Sequence, residues 1–400
     1  MTETQTSRRR FATLPMTPRS PHEPHRVAST LELFFDLVFV IAVGIAGSQL
    51  HHALSHGHIA HGVLSYLFIF FCIWWAWMNF TWFATAFDND DWVYRALTFL
   101  QMGGVLTMAA GIAPFFETGS VFVAAAGYVI MRVAMCAQWL RAARNNREYS
   151  KVARTYAVGI ALMQVYWVAI GFVQVPQPWN TVLLIIGIIG EVSVPVLAER
   201  ERQTPWHPHH ITERYGLFTL IVLGESLLGS ANAIIASVNE GHLDWPLIAI
   251  AVMALVVAGG MWWIYFWGEH HIAIGGMSDT LPYGYLHYLI FAAAGAYSAG
   301  VELMIDVVKH EAHGISTIGA AYALAIPVAV FVIVVWALVI RRQAAPIVTG
   351  VIHAAIVLIL VDPLIPVPAV GTTIAMLMIL WVLVCNDPTE KHEEAAPVEA

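Results

Sequence analysis

Apolar runs long enough to cross a lipid bilayer recur along the whole of this chain, from "LELFFDLVFVIAVG" at Leu31 to "TTIAMLMILWVLVC" ending at Cys385. A spanning helix needs about 20 mainly apolar residues. The recurrence rules out one large soluble core, because each run is followed by a polar or proline-rich break. Composition agrees: 58% of the 400 residues are hydrophobic and 12% charged, where a soluble domain carries about 25% charged residues. The sequence therefore describes an all-α polytopic membrane protein.

Twelve candidate helices follow, at approximately 31–50, 62–87, 93–116, 121–141, 155–174, 180–198, 214–237, 245–267, 283–305, 317–340, 346–362 and 370–385. Clusters such as "QVPQPWN", "RQTPWHPHH" and "DPLIPVP" separate them. Lysine and arginine test the count. With the N-terminus cytoplasmic, every basic residue except Lys309 and Arg132 falls on the cytoplasmic side, as the positive-inside rule expects. Both termini are accordingly expected in the cytoplasm. Residues 1–30 read as a disordered cytoplasmic tail, since "SRRRF" is followed by no apolar segment of an export signal. Residues 386–400 read as an acidic tail.

The two halves echo each other. "LELFFDLVFVIAVG" opens the first and "TERYGLFTLIVLGES" the second. A helix ending in paired tryptophans follows each ("IWWAWMNF", "MWWIYFWG"), then a tyrosine-led helix, then one ending in arginine. This pattern predicts a parallel 6+6 internal repeat, 31–198 and 214–385, joined by a cytoplasmic linker at 199–213.

Ionisable residues inside the spans carry the functional argument, because a charge facing lipid costs several kcal/mol. Asp36 lies one turn beyond Glu32 on the same face. Glu32 has a second reading as a helix-end residue, with Ser29 and Thr30 as capping candidates. Arg132, Glu191, Glu225 and His353 fall near the middles of their spans, and Arg132 should pair with Glu191 or Glu225. Together with Asp36 they form the candidate pathway. Glu32, Asp88, Asp91, Arg95, Glu213, Arg214 and His287 are assigned to its cytoplasmic mouth. His287 reads either as a proton relay or as a packed core histidine. Glu302 and Asp306 lie at the outer end of the ninth helix.

The first outer loop, "HHALSHGHIAHG", holds His51, His52, His56, His58 and His61. It contains no cysteine or carboxylate, so a wet loop outweighs a metal site and no cofactor is expected. Cys72, Cys136 and Cys385 lie in apolar runs with no CxxC spacing. Net charge of -8 gives no basic surface for nucleic acid. No GxxxxGK[ST], HExxH or GxSxG pattern occurs, which places an enzyme behind a transporter in order of preference.

"STLELFFDLVFVIAV", "WWAWMNFTWFATAFDNDD" with Arg95, and "HHITERYGLFTLIVLGESLL" together resemble the bacterial low temperature requirement A (LtrA) family. "MWWIYFW" and "YLHYLIFAAAGAYSAGVE" are similar to its later blocks. The resemblance implies a multi-pass protein of the bacterial inner membrane, linked by name to growth in the cold, without an established reaction. The motif positions carried over are Glu32, Asp36, Trp75, Asp88, Arg95, Glu213, Arg214 and Glu225, with Tyr215 where Phe is commoner. The doubled plan also resembles an organellar potassium/proton channel family with a Phe-Ser-Asp motif. Here the first helix reads Phe34-Phe35-Asp36, and Gly216-Leu217 at the matching place in the second half has no acid. Three functions stay open: a carrier or channel for a small solute or ion, an enzyme or sensor acting on lipid, and a scaffold. The lipid bilayer and a small solute or ion are the partners expected; the identity of the solute and the oligomeric state are not legible.

Overall fold

A computed structural model describes residues 13–386 apart from 25, 174–175, 177, 240–244, 275–276 and 368. The described residues contain helices and no strand. In chain order the helices are α1 (Thr30–Ser55), α2 (Ile59–Phe87), α3 (Trp92–Thr118), α4 (Phe122–Asn145), α5 (Ser150–Phe172), α6 (Trp179–Glu201), α7 (Pro208–Glu225), α8 (Leu228–Asn239), α9 (Trp245–Phe266), α10 (Met277–Val308), α11 (Thr317–Gln343), α12 (Pro346–Leu364) and α13 (Val370–Val384). Ten of the described helices are long and apolar enough to cross a membrane: all but α7, α8 and α13.

The expected span 214–237 is corrected by the structure. It breaks after Glu225, and α8 starts at Leu228. The local cause is legible in "LGESLLGS". Gly224 and Gly229 are poor helix formers, and the Ser226 hydroxyl donates to the Leu223 carbonyl at 2.7 Å, competing with the helix ladder.

The chain forms two compact units. The first comprises residues 1–42 and 72–214, the second 43–71 and 215–400. The second unit takes 43–71 from the expected first half, so these units are not the two expected repeats.

In the first unit, α3, α4, α5 and α6 pack in sequence order. The α3–α4 contact is backbone to backbone. A Cβ at Gly127 would fall 2.2 Å from the Met108 backbone nitrogen, and one at Gly104 would fall 2.8 Å from the Gly127 carbonyl and 2.6 Å from the Met131 side chain. Small residues at such a crossing let membrane helices gain dispersion contact where lipid gives no hydrophobic drive.

Residues 13–24 and 26–29 do not form a loose tail. Met16 is fully buried, Leu14 N–H donates to Asp91 at 2.9 Å, and its carbonyl accepts from Arg141 at 2.8 Å. Residues 1–12, and 387–400 of the other expected tail, lie outside the described residues.

In the second unit α10 packs on α11, and α13 on α9 and α12. The start of α13 is held by Asp362, a buried carboxylate that accepts from Ala369 N–H at 2.9 Å, Gly371 N–H at 2.8 Å and the Thr372 hydroxyl at 2.7 Å. It satisfies helix-end donors that would otherwise be left without a partner.

Candidate functional site

The first helix begins with a reciprocal cap. Ser29 N–H donates to Glu32 Oε2 at 2.8 Å and Glu32 N–H donates to Ser29 Oγ at 3.3 Å, the capping box that S-x-x-E spacing permits. Glu32 does more than cap. Its Oε1 is 2.9 Å from Arg214 Nη1 and 3.3 Å from His210 Nε2. One turn further along α1, Asp36 Oδ1 accepts from Arg214 Nη2 at 2.6 Å and from the Trp77 indole at 2.7 Å, and its Oδ2 accepts from Arg214 Nε at 3.2 Å. Glu32, Asp36, His210 and Arg214 are all 0% exposed. The Glu32 and Asp36 carboxylates grip one guanidinium between them.

The charge of this cluster does not close. Two carboxylates face one arginine, and burial pushes the His210 imidazole below its usual range against the pull of Glu32. With His210 neutral, Glu32, Asp36 and Arg214 by themselves hold one negative charge more than positive, with Arg26, Arg19 and Asp88 as the next charged groups acting on Glu32 and His210. His210 Nδ1 is buried and has no hydrogen-bond partner among the described residues.

A second buried cluster lies in the same unit. Arg132 Nη2 is 3.2 Å from Glu191 Oε2 and donates to the Tyr128 hydroxyl at 2.5 Å. Glu191 also accepts from the Trp75 indole at 2.7 Å and the Trp167 indole at 3.1 Å. Here one cation meets one anion, with further donors for the carboxylate. Trp75 and Trp77 are two residues apart on α2 and so point about 200° apart, which is how one helix serves both clusters.

The acidic loop between α2 and α3 is engaged rather than free. Asp88 is 3.7 Å from both Arg19 Nη1 and Arg26 Nη2. Asp91 caps α3 through Tyr94 N–H at 2.8 Å and binds Arg141 through both carboxylate oxygens. Arg95 makes an exposed ion pair with Asp90, at 2.6 and 2.8 Å. Glu213 accepts from Ala28 N–H at 3.2 Å. Arg214, expected at a solvated mouth, is instead the buried centre of the first cluster.

Asp36, Arg132, Glu191 and Glu225 therefore do not share one ion cluster. Arg132 took Glu191 as its partner, Asp36 took Arg214, and Glu225 belongs to the second unit. There the Glu225 carboxylate lies against the open side of Gly44, with no hydrogen bond or ion pair among the described residues.

Elsewhere in the second unit, His287 sits fully buried with Nδ1 2.7 Å from the Tyr283 carbonyl and Nε2 3.0 Å from the Tyr265 hydroxyl. His270 completes this packed group, its Nδ1 2.9 Å from the Tyr283 hydroxyl and its Nε2 2.6 Å from the Tyr265 carbonyl. Burial pushes His270 down to about 4. His353 is exposed and stacks edge-on with Trp336. The expected histidine-rich loop is only residues 56–58: His51 and His52 lie on α1 and His61 on α2, because both helices run past the apolar segments; His52, His56, His58 and His61 are exposed. His51 alone turns inward, between Glu302 and Asp306. No group of three or more His, Cys, Asp or Glu side chains arranged so as to hold a metal ion occurs among the described residues.

Sequence reasoning missed His210, Trp77, Tyr128, Trp167, Arg19, Arg26 and Arg141 as partners of these acids. The "HPHH" run and the "WWAW" block were visible, but nothing in their spacing says which carboxylate each residue meets.

A multi-helix membrane protein with charged clusters sealed inside it is the class these observations define. The model of the family described as bacterial low temperature requirement A protein (LtrA) matches residues 27–385, nearly the whole chain. The chain belongs to this family. It is also 28% identical over 290 residues to the uncharacterized protein RA0937 of Rhizobium meliloti (strain 1021), covering 67% of this chain and 68% of that protein. No solved structure matches.

Proposed function

We propose that this LtrA-family protein is a proton-coupled transporter or channel for a small solute or ion, with the Glu32–Asp36–His210–Arg214 cluster as its coupling element. One observation carries the reading: a fully buried group in which two carboxylates share one guanidinium beside a vacant imidazole nitrogen. Burial makes the second carboxylate's charge costly, and a proton on His210 Nδ1 or a small cation beside the carboxylates relieves it. Arg132 and Glu191, whose charges balance one to one, serve as a brace. The rest of the reading comes from sequence: an inner-membrane location with both ends cytoplasmic, and a 6+6 repeat framing the pathway, with Glu225 beside it. Asp88, Asp91, Arg95 and Glu213 belong to the cytoplasmic face in this scheme.

Purified protein in liposomes carrying an internal pH dye tests it. Imposed pH gradients, combined with gradients of alkali cations, anions or small solutes, should produce proton or solute movement. Asp36→Asn, which keeps an acceptor for Trp77, should reduce that movement at least tenfold. His210→Gln, which keeps a donor for Glu32 but binds no proton, should remove its pH dependence. No movement across the panel for the wild type sinks the proposal, as does unchanged flux in Asp36→Asn.

A further inference from the structure

The end of α1 opposite Glu32 carries a second arrangement, confined to the second unit. His51 Nε2 is 2.7 Å from Asp306 Oδ2, and His51 Nδ1 is 3.2 Å from Glu302 Oε2. Both ring nitrogens thus face carboxylate oxygens. A neutral imidazole has one N–H and one lone pair. With both acids ionised, that lone pair would point at an anionic oxygen, a repulsive contact. The geometry closes only when the triad holds one proton beyond those of a neutral ring and two carboxylates.

The surroundings bear on where that proton resides and how open the site is. Glu302 and Asp306 stand four residues apart on one face of α10. The Ser298 hydroxyl donates to Glu302 Oε1 at 3.2 Å, so when the His51 ring carries the proton both Glu302 oxygens have a donor. From α8, Gly229 packs against the Glu302 side chain and brings no charge. From α1, Gly47 packs on Gly295 and Ser298 and brings none. Among the described residues, Glu302 and Asp306 are the charged groups acting on His51, and His51 and Asp306 those acting on Glu302. The side chains of His51, Glu302 and Asp306 are 22%, 24% and 19% exposed. These side chains are thus partly open, unlike the sealed cluster around Arg214.

We infer that His51, Glu302 and Asp306 form a proton-binding site, in which an imidazolium is clamped between two carboxylates and releases its proton when either acid is neutralised. The ligand is the proton itself. Occupancy of the site does not depend on the transport reading, since it can be measured with no gradient and no flux.

The test is nitrogen NMR of protein labelled with ¹⁵N-histidine, in detergent or nanodiscs, with His51 assigned by the signal lost in His51→Gln. At about pH 8, well above the ordinary imidazole value, the wild-type His51 ring should show two protonated nitrogens. Glu302→Gln combined with Asp306→Asn should return it to a neutral tautomer, a loss of tenfold or more in proton affinity. Ser298→Ala, which leaves the three groups in place, should keep the charged ring. A neutral wild-type His51 at that pH overturns the site, as does a charged ring that survives the double substitution. The wild-type measurement decides the matter even where the double variant does not fold. A wild type inactive in liposomes but charged at His51 would overturn the transport reading and leave this one standing.

Discussion

Arg214 shows how much a single side chain can hold in a membrane helix bundle. It reaches Asp36 through Nε and Nη2 and Glu32 through Nη1. Removing one member of a buried ion group leaves the others uncompensated, at a cost of roughly 3–5 kcal/mol. Arg214→Gln should therefore lower the thermal unfolding midpoint in detergent far more than Arg95→Gln, since Arg95 pairs with Asp90 in water. Equal effects of the two substitutions would show that the cluster contributes no stability.

The neighbouring acids Asp88 and Asp91 should respond to pH in opposite directions. Burial, aided by the Glu32 carboxylate, pushes Asp88 up to about 6 despite the Arg26 and Arg19 guanidiniums. The folded chain then keeps a proton that the unfolded chain has already lost. Its stabilising effect is complete below about pH 4 and disappears as pH rises through about 6. Asp88→Asn should thus stabilise the protein near pH 7.5 by on the order of 2 kcal/mol, and near pH 4 by nothing. For Asp91, burial pulls upward, but Arg141 and the Tyr94 and Leu14 amides outweigh it and hold the carboxyl below its usual range. Its contribution is present above the ordinary carboxyl value and lost only as pH falls through the lower folded value, so Asp91→Asn should destabilise at pH 7.5 and still do so near pH 4, where Asp88→Asn has no effect. Unfolding curves of both variants across this range check the signs.

Among elements, the α3–α4 crossing gives the sharpest contrast. Gly127→Ala places a methyl into the Met108 backbone, whereas a Cβ at Gly103 on α3 meets nothing within 4 Å. Gly127→Ala should cost about 1–3 kcal/mol through forced separation of the helices. Gly103→Ala should be neutral or gain up to about 1 kcal/mol from helix propensity. Chemical denaturation of the pair, compared with wild type, separates a packing requirement from a general dislike of alanine. Helix boundaries illustrate the same division. The run "FTLIVLGESLLG" is apolar enough to read as one span, yet it stops at Glu225 because Gly224, Ser226 and Gly229 weaken the ladder together. Asp362 went unremarked in "DPLIPVP". Its role appears only when the chain turns back and presents the Ala369, Gly371 and Thr372 donors to it.

For the whole molecule, the distribution of basic residues leads to a concrete expectation about orientation. A fluorescent or alkaline phosphatase reporter fused after Asn386 should behave as cytoplasmic, with fluorescence retained and phosphatase silent. The opposite result would reverse the orientation drawn from the arginines. The helical fold, the order of the elements and family membership were legible because hydrophobicity over about 20 residues is a local, additive quantity. Trp75, Trp77, Glu32 and Asp36 could likewise be singled out by type and position. Their pairing could not. Whether Arg132 meets Glu191 or Glu225, and whether Arg214 sits in water or grips Asp36, depends on which helices become neighbours. So does the meeting of His51 with Glu302 and Asp306, 251 residues apart in the case of Glu302. The sequence by itself determined that this chain enters a membrane as many helices and that it carries charges there which need partners. Only the tertiary structure decided which charge answers which, because an ion pair is made across space at about 3 Å, a distance no local pattern encodes.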